Sequence, residues 1–308
     1  MTIGREPRIT PPPELGRGEH RWNIMAESST RETPLKGTIN AIADGLKPVD
    51  AVRPVAPYIG GKRNLANRLV KQINATPHSL YAEVMVGMGG VFLRRTHRPS
   101  SEVINDISAD VATLFRILQR HHQSFMEELK WRLTSRSEFE RLMATAPDTL
   151  TDLERAARFL YLQRTSFGGK VEGRNFGVVY AGRARFDLTK LGPILQDVHE
   201  RLASVIIERL PWQTFIDRYD RAGTLFYLDP PYHGCETDYG TGIFDTEDFA
   251  AIADRLGRLR GGRFIMSIND HPDIRRLFGR FCIEEVPTTY TLSGGHLAQR
   301  VTELVISG

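Results

Sequence analysis

Five short apolar runs alternate with stretches of helical period, and this order constrains the fold more than any other feature of the chain. The runs lie at residues 80–86 (LYAEVMV), 102–107, 205–210, 224–229 and 263–269. Each has the length of a buried strand, and the gaps are long enough to hold helices. An α/β fold with an open sheet follows. Two later runs, 282–290 and 301–306, read as a closing antiparallel pair. Between residues 121 and 190 the strand signals stop, and EFERLMATA and ERAARFLYLQRT carry helical periodicity instead. The expected organisation is therefore a flexible extension over 1–52, an α/β domain over 53–120 and 191–308, and a helical insert over 121–190. The extension contains Pro11-Pro12-Pro13 and scattered charge without a sustained apolar period.

Charged residues interrupt every window of about twenty, so no membrane span is expected. The first fifty residues lack the basic, apolar and small-residue succession of an export signal. Two cysteines, Cys235 and Cys282, are too few for a disulfide framework or a four-ligand zinc site. They read as reduced thiols in a cytosol, and no metal is expected. Net charge is only +4, but eight basic residues face two acids from Arg155 to Lys190, a local excess of six. Such a stretch is either a solvated basic face or a surface that neutralises phosphates.

Three constellations carry chemistry. The first is Asp229-Pro230-Pro231-Tyr232 at the end of an apolar strand, where ligands gather in open α/β sheets. Prolines have no amide hydrogen and fix φ, so the turn offers carbonyl oxygens rather than donors. A carboxylate beside a fixed carbonyl suits an amino group with two N–H donors, and Tyr232 offers a face for a planar base. Together they describe a pocket for an aminopurine or aminopyrimidine.

The second is the strand-to-glycine turn holding Glu83, Val86, Gly87 and Gly89, with Asp106 nineteen residues after Gly87 and Ile107 beside it. Glycines admit close backbone approach, and an acid at the next strand's end can bind two ribose hydroxyls. Phe92 breaks the dinucleotide GxGxxG pattern. The third is Tyr58-Ile59-Gly60-Gly61-Lys62, ahead of the first strand. A phosphate-binding P-loop would need Gly at 56 and Ser or Thr at 63; the chain has Ala56 and Arg63, which excludes that class of ATPase.

These motifs resemble those of the Dam-like, D12-class DNA adenine methyltransferases: a GGK segment, a glycine loop related to EPFxGxG, an acid, a basic helical insert, DPPY, and a closing Arg300-Val301-Thr302-Glu303-Leu304. Val84 and Met85 stand where that family's loop has Pro-Phe. The order of motifs is that of the family's alpha group, and the likeness spans roughly residues 55–308.

The resemblance implies a Rossmann-like sheet that binds S-adenosylmethionine, with the insert as DNA-recognition subdomain. It implies cofactor contacts from Tyr58, Gly60, Gly61, Lys62, Glu83, Val86, Gly87, Gly89, Asp106, Ile107 and Pro211, the last within Leu210-Pro211-Trp212. Asp229, Pro230, Pro231 and Tyr232 are then catalytic and act on N6 of an adenine flipped out of double-stranded DNA. Arg164, Lys170, Arg174 and Asn175 are the candidate DNA contacts. The implied setting is a cytoplasmic, nucleoid-associated monomer or weak dimer, with a restriction endonuclease partner left open. The rival expectations are methylation of an amino group in RNA, cytosine or protein glutamine, and a non-catalytic DNA-binding protein on the same fold.

Overall fold

Residues of the central strands alternate between two buried faces, which is what a sheet covered on both sides requires. A computed structural model of the chain describes residues 42–62, 64–178, 184–236, 240, 242–291 and 298–308. Its main sheet contains β2 (Leu80–Glu83), β4 (Ser101–Asn105), β5 (Ile206–Glu208), β6 (Thr224–Leu228), β7 (Arg263–Asn269), β8 (Cys282–Thr291) and β9 (Ala298–Ser307). The spatial order is β5-β4-β2-β6-β7-β9-β8. The first five are mutually parallel, while β9 runs antiparallel to both β7 and β8. The expected closing antiparallel pair is present, and the fold is the expected Rossmann-like α/β class.

On one face Tyr81, Ile104, Leu225, Tyr227 and Ile265 pack against α1 (Ala66–Ala75), α2 (Ala109–Arg120), α5 (Asp152–Thr165) and α6 (Leu188–Leu202). On the other, Ala82, Val103, Phe226, Leu228, Phe264 and Met266 meet α7 (Trp212–Tyr219), α8 (Thr246–Leu256) and α9 (Pro272–Leu277). Each fully buried Leu, Ile or Phe is worth about 1.5–3 kcal/mol against its exposed state.

Local chemistry sets where the helices start. Ser108 caps α2 by accepting from the Val111 amide, and Thr151 with Glu154 forms a capping box on α5. The helical stretch 121–190 contains α3 (His122–Lys130), α4 (Arg136–Ala144) and α5. Its Phe125, Leu129, Phe139, Leu142 and Leu160 belong to the same apolar cluster as the sheet residues Tyr81 and Leu225. The stretch thus shares the sheet's core, and residues Asn40–Gly308 form one compact unit.

Residues 1–41, most of the expected extension, lie outside the described residues. Its end belongs to the fold: β1 (Lys47–Pro48) pairs antiparallel with β3 (His97–Arg98), and Val52 is buried. Behind β4, buried Glu102 takes guanidinium donors from Arg95 at 2.6 Å and from Arg201 at 2.7 Å on both oxygens. This fork ties α6 to the sheet's far side, away from the strand ends that carry the motifs.

Candidate active site

The parallel strands run outwards from the centre in two directions, β2 to β4 to β5 on one side and β6 to β7 on the other. The order therefore reverses between β2 and β6, and the crevice at such a reversal, outside the strands' carboxyl ends, is where open α/β sheets bind ligands. Glu83 at the end of β2 is in register with Tyr227, and Asp229 follows β6 directly. The glycine loop and the Asp-Pro-Pro-Tyr turn thus leave adjacent strands into one cavity of about 1110 Å³. That is slightly above the usual range of about 300–1,000 Å³ for small-molecule sites.

Asp229 is 22% exposed, at the cavity wall. Its Oδ1 lies 3.0 Å from the buried Lys62 ammonium and 3.4 Å from the Ser267 hydroxyl, which in turn pairs with the Tyr227 phenol at 2.7 Å. Burial raises its pKa to about 6 against the opposing pull of Lys62, and Glu303 adds to the rise. Lys62 also donates to the Tyr232 hydroxyl at 2.8 Å and lies 3.4 Å from Glu303 Oε2. Of the four residues of the turn, Asp229 and Pro231 line the cavity; Pro230 is buried, and the Tyr232 hydroxyl is directed to Lys62 and Glu303.

The opposite wall suits a nucleoside. The Asp106 carboxylate accepts from the Gly87 amide at 2.8 Å and the Ser108 amide at 2.9 Å, one on each oxygen. It is thereby fixed at the wall with lone pairs left for a diol. Burial raises its pKa to about 6, partly offset by those two amides. Ile107 stays 41% exposed, and it shares the cavity with Pro211 and Trp212. Apolar faces beside a fixed carboxylate fit an adenosine moiety, so the donor set matches S-adenosylmethionine.

Of the expected cofactor residues, Tyr58, Gly60, Gly61, Lys62, Glu83, Val86, Gly87, Asp106, Ile107 and Pro211 line this cavity. Gly89 does not: it has φ +72, and a Cβ there would meet Leu93 at 2.9 Å, so it serves packing behind the loop. Glu83 is fully buried, accepts from the Tyr81 hydroxyl at 2.6 Å, and has its pKa raised by burial to about 8.

The four DNA candidates separate. Arg164 lines the cavity and donates to the carbonyls of Val55 at 3.2 Å and Arg185 at 3.0 Å. Arg174 donates to Gln163 Oε1 and the Lys170 carbonyl, both at 3.1 Å, with its guanidinium 5.7 Å from the Phe159 ring centre. Both arginines are half-buried and bound to the protein, whereas Lys170 and Asn175 are exposed. The loop itself lies against the GGK segment: Ile59 donates to the Gly169 carbonyl at 3.0 Å, and buried Gln163 donates to Pro57 and Gly169 carbonyls.

Three positioning residues escape motif reading. Asn105 donates to the Val84 and Leu210 carbonyls and accepts from the Leu210 amide, which joins the glycine loop to the Leu210-Pro211-Trp212 wall. Gln163 joins the basic loop to the GGK segment. Asn269 brackets His233 through both main-chain polar groups, at 2.9 and 3.1 Å, and so sets the exit of the Asp-Pro-Pro-Tyr turn. An amide residue at the end of an apolar strand or helix run was the available signal for all three. In the loop after Tyr232, residues 237–239 and 241 lie outside the described residues.

His233, His271 and Asp273 each bring one donor atom within 4.8 Å of the others. The two imidazoles stack with centres 3.9 Å apart and planes at 17°. In-plane lone pairs of parallel rings do not converge on one ion, so this cluster is not arranged as a metal centre.

The profile of the D12 class N6 adenine-specific DNA methyltransferases matches residues 58–292. The type II methyltransferase M.CviBI of Paramecium bursaria Chlorella virus NC1A is 22% identical over 261 residues, covering 83% of this chain and 99% of its own. The type II methyltransferase M1.LlaDCHI of Lactococcus lactis subsp. cremoris is 26% identical over 276 residues, covering 83% of this chain and 95% of its own. Among solved structures, the rRNA methyltransferase aviRa of Streptomyces viridochromogenes aligns with a TM-score of 0.36 at 11% identity, over 83% of this chain and 87% of that one.

Proposed function

Because the chain belongs to the D12 class of N6-adenine-specific DNA methyltransferases, we propose that Asp229 and the Pro230 carbonyl are the acceptors that activate the adenine amino group. The reaction is methyl transfer from S-adenosylmethionine to adenine in DNA. When bound, S-adenosylmethionine supplies an electrophilic methyl group on a sulfonium. Asp106, Ile107, Pro211 and the Gly87 turn hold its nucleoside, and the Tyr58-to-Lys62 segment covers the rest.

An adenine amino nitrogen is a poor nucleophile because its lone pair is delocalised into the ring. Two fixed acceptors draw both N6 hydrogens, turn the nitrogen towards tetrahedral geometry and stabilise the positive charge that develops on it. Alignment of the reactants in one cavity supplies up to roughly 7–11 kcal/mol of the barrier reduction. The amino group cannot reach Asp229 from inside a duplex, so the adenine is flipped out, with Tyr232 as its stacking face. The reading is carried by one observation: the glycine loop with Asp106, and the Asp-Pro-Pro-Tyr turn, open into the same cavity from adjacent strand ends.

Lys170 and Asn175 meet DNA from the exposed side of the basic loop, with Arg164 and Arg174 as its internal supports. A substrate of nucleoid DNA puts the enzyme in the cytoplasm, acting as a monomer or weak dimer. Kinship with two type II methyltransferases supports a restriction-modification setting with a companion endonuclease. The decisive experiment is transfer of tritiated methyl to unmethylated genomic DNA. Asp229→Asn is expected to lose it while still binding S-adenosylhomocysteine, and near-normal transfer by that variant would remove Asp229 from the mechanism.

A further inference from the structure

β9 reverses direction, so its beginning reaches the carboxyl ends of the parallel strands. Glu303 is in register with Asn269, the last residue of β7, and its side chain is buried. There it meets two residues from distant parts of the chain. Its Oε1 accepts from the Tyr232 hydroxyl at 2.8 Å, and its Oε2 lies 3.4 Å from Lys62 Nζ. The same ammonium lies 3.0 Å from Asp229 Oδ1 and donates to the Tyr232 hydroxyl at 2.8 Å. The phenol is thus held between a donor and an acceptor, which fixes the ring's tilt as well as its position.

We propose that Glu303 is a positioning residue for methyl transfer: it shares the charge of Lys62 with Asp229, and it locks the Tyr232 ring. The inference rests on the assignment of Asp229 as an acceptor for the amino group. An acceptor already saturated by an ammonium is a poor acceptor for a second donor, and Lys62 has two carboxylates between which to divide. Among the described residues, neutralising Glu303 leaves Asp229 as the carboxylate in contact with Lys62. The ammonium is then held by Oδ1 without a competing carboxylate, and the phenol donates to a neutral amide oxygen, a weaker acceptor than a carboxylate. The charged and titratable groups facing Asp229 are Lys62, Glu303, Glu83 and Tyr227. Loss of one negative neighbour and an undivided cation both favour the ionised carboxylate.

The test is Glu303→Gln, an isosteric neutral change, beside wild type on the same unmethylated genomic DNA. kcat is expected to fall by at least about tenfold, with S-adenosylhomocysteine affinity by calorimetry held within about threefold, a change under 1 kcal/mol. The acid limb of kcat should move to lower pH. The carboxyl carbon-13 resonance of Asp229, identified by its loss in Asp229→Asn, should titrate at lower pH in the free protein, a readout independent of turnover. A purely structural Glu303 would leave kcat intact even though the lost charge moves the Asp229 titration. An unchanged kcat in the folded variant overturns the proposal. Absence of transfer by wild type would instead strike the functional assignment. Should Glu303→Gln fail to fold, Tyr232→Phe removes only the hydroxyl held by Glu303, and undiminished kcat in that variant overturns the proposal equally.

Discussion

Asn105 and Leu210 exchange a pair of hydrogen bonds, Nδ2 to the carbonyl at 3.0 Å and amide to Oδ1 at 2.8 Å. The pair fixes the Pro211 and Trp212 wall against the end of β4, beside the Asp106 carboxylate. Asn105→Ala strips partners from a buried amide and two carbonyls, a loss of about 1–3 kcal/mol. Because that loss falls on the cavity wall, S-adenosylhomocysteine binding should weaken by about tenfold, equivalent to 1.4 kcal/mol. Calorimetry checks it, and unchanged affinity in a folded variant would separate this pair from cofactor binding.

Three carboxyls at the cavity make stability depend on pH. Burial raises Glu83 from the ordinary 4.5 to about 8, and Asp106 and Asp229 from 3.8 to about 6. The folded state therefore holds protons that the unfolded chain has released. Stability from these groups is complete below the unfolded values and is lost as pH rises through about 6 for Asp106 and Asp229 and about 8 for Glu83. Urea denaturation should show a protein less stable at pH 8.5 than at pH 5.5, and Glu83→Gln should flatten the upper part of that slope. Activity runs the other way at the acid end. Asp229 must be ionised to accept hydrogens, so kcat should fall about tenfold per pH unit well below pH 6. A stability curve that rises through this window would refute the burial argument.

Gly169 is the contact through which the basic loop holds the GGK segment. It has φ +69, and a Cβ there would lie 2.9 Å from the Pro57 carbonyl carbon and the Tyr58 nitrogen. Gly169→Ala should cost about 1–3 kcal/mol through strain and displacement of backbone, and it should weaken cofactor binding by moving Tyr58. Gly173→Ala is the matched control. Gly173 also has positive φ, but nothing lies within 4 Å of its added Cβ. Equal loss of cofactor affinity in the two variants would deny the contact its role.

What the sequence made legible followed from local rules. Strand runs bounded by polar turns placed β2, β4, β6 and β7, and the Asp-Pro-Pro-Tyr string marked the end of β6 because its chemistry is contiguous. Glu303 was visible only as part of a closing motif. Its place beside Lys62 depends on β9 pairing with β7, a contact between segments more than two hundred residues from the GGK turn. Arg164 and Arg174 look, as letters, like surface charge. Their guanidiniums instead bind carbonyls and Gln163 within the fold, because α5 is buried on nearly every side. The stretch 121–190 reads as separate for want of strands, yet its apolar residues complete the sheet's own core.

With Arg164 and Arg174 turned inward, the exposed Lys170 is the stronger candidate for a DNA phosphate contact. Its side chain is exposed in a loop anchored to the GGK segment, while Arg174 already satisfies Gln163 and the Lys170 carbonyl. An exposed ammonium that meets a phosphate releases one counterion, so Lys170→Ala should lower the salt dependence of DNA affinity by a slope of about 1. The weakening should be uniform across duplexes of different sequence, because a phosphate carries no base identity. Arg174→Ala should behave differently and lower thermal stability and cofactor affinity together, because it unfastens the loop. Fluorescence anisotropy against salt concentration on two unrelated duplexes distinguishes the outcomes. A Lys170→Ala variant that relaxes preference at one base position, with its salt slope intact, would make Lys170 a base reader instead.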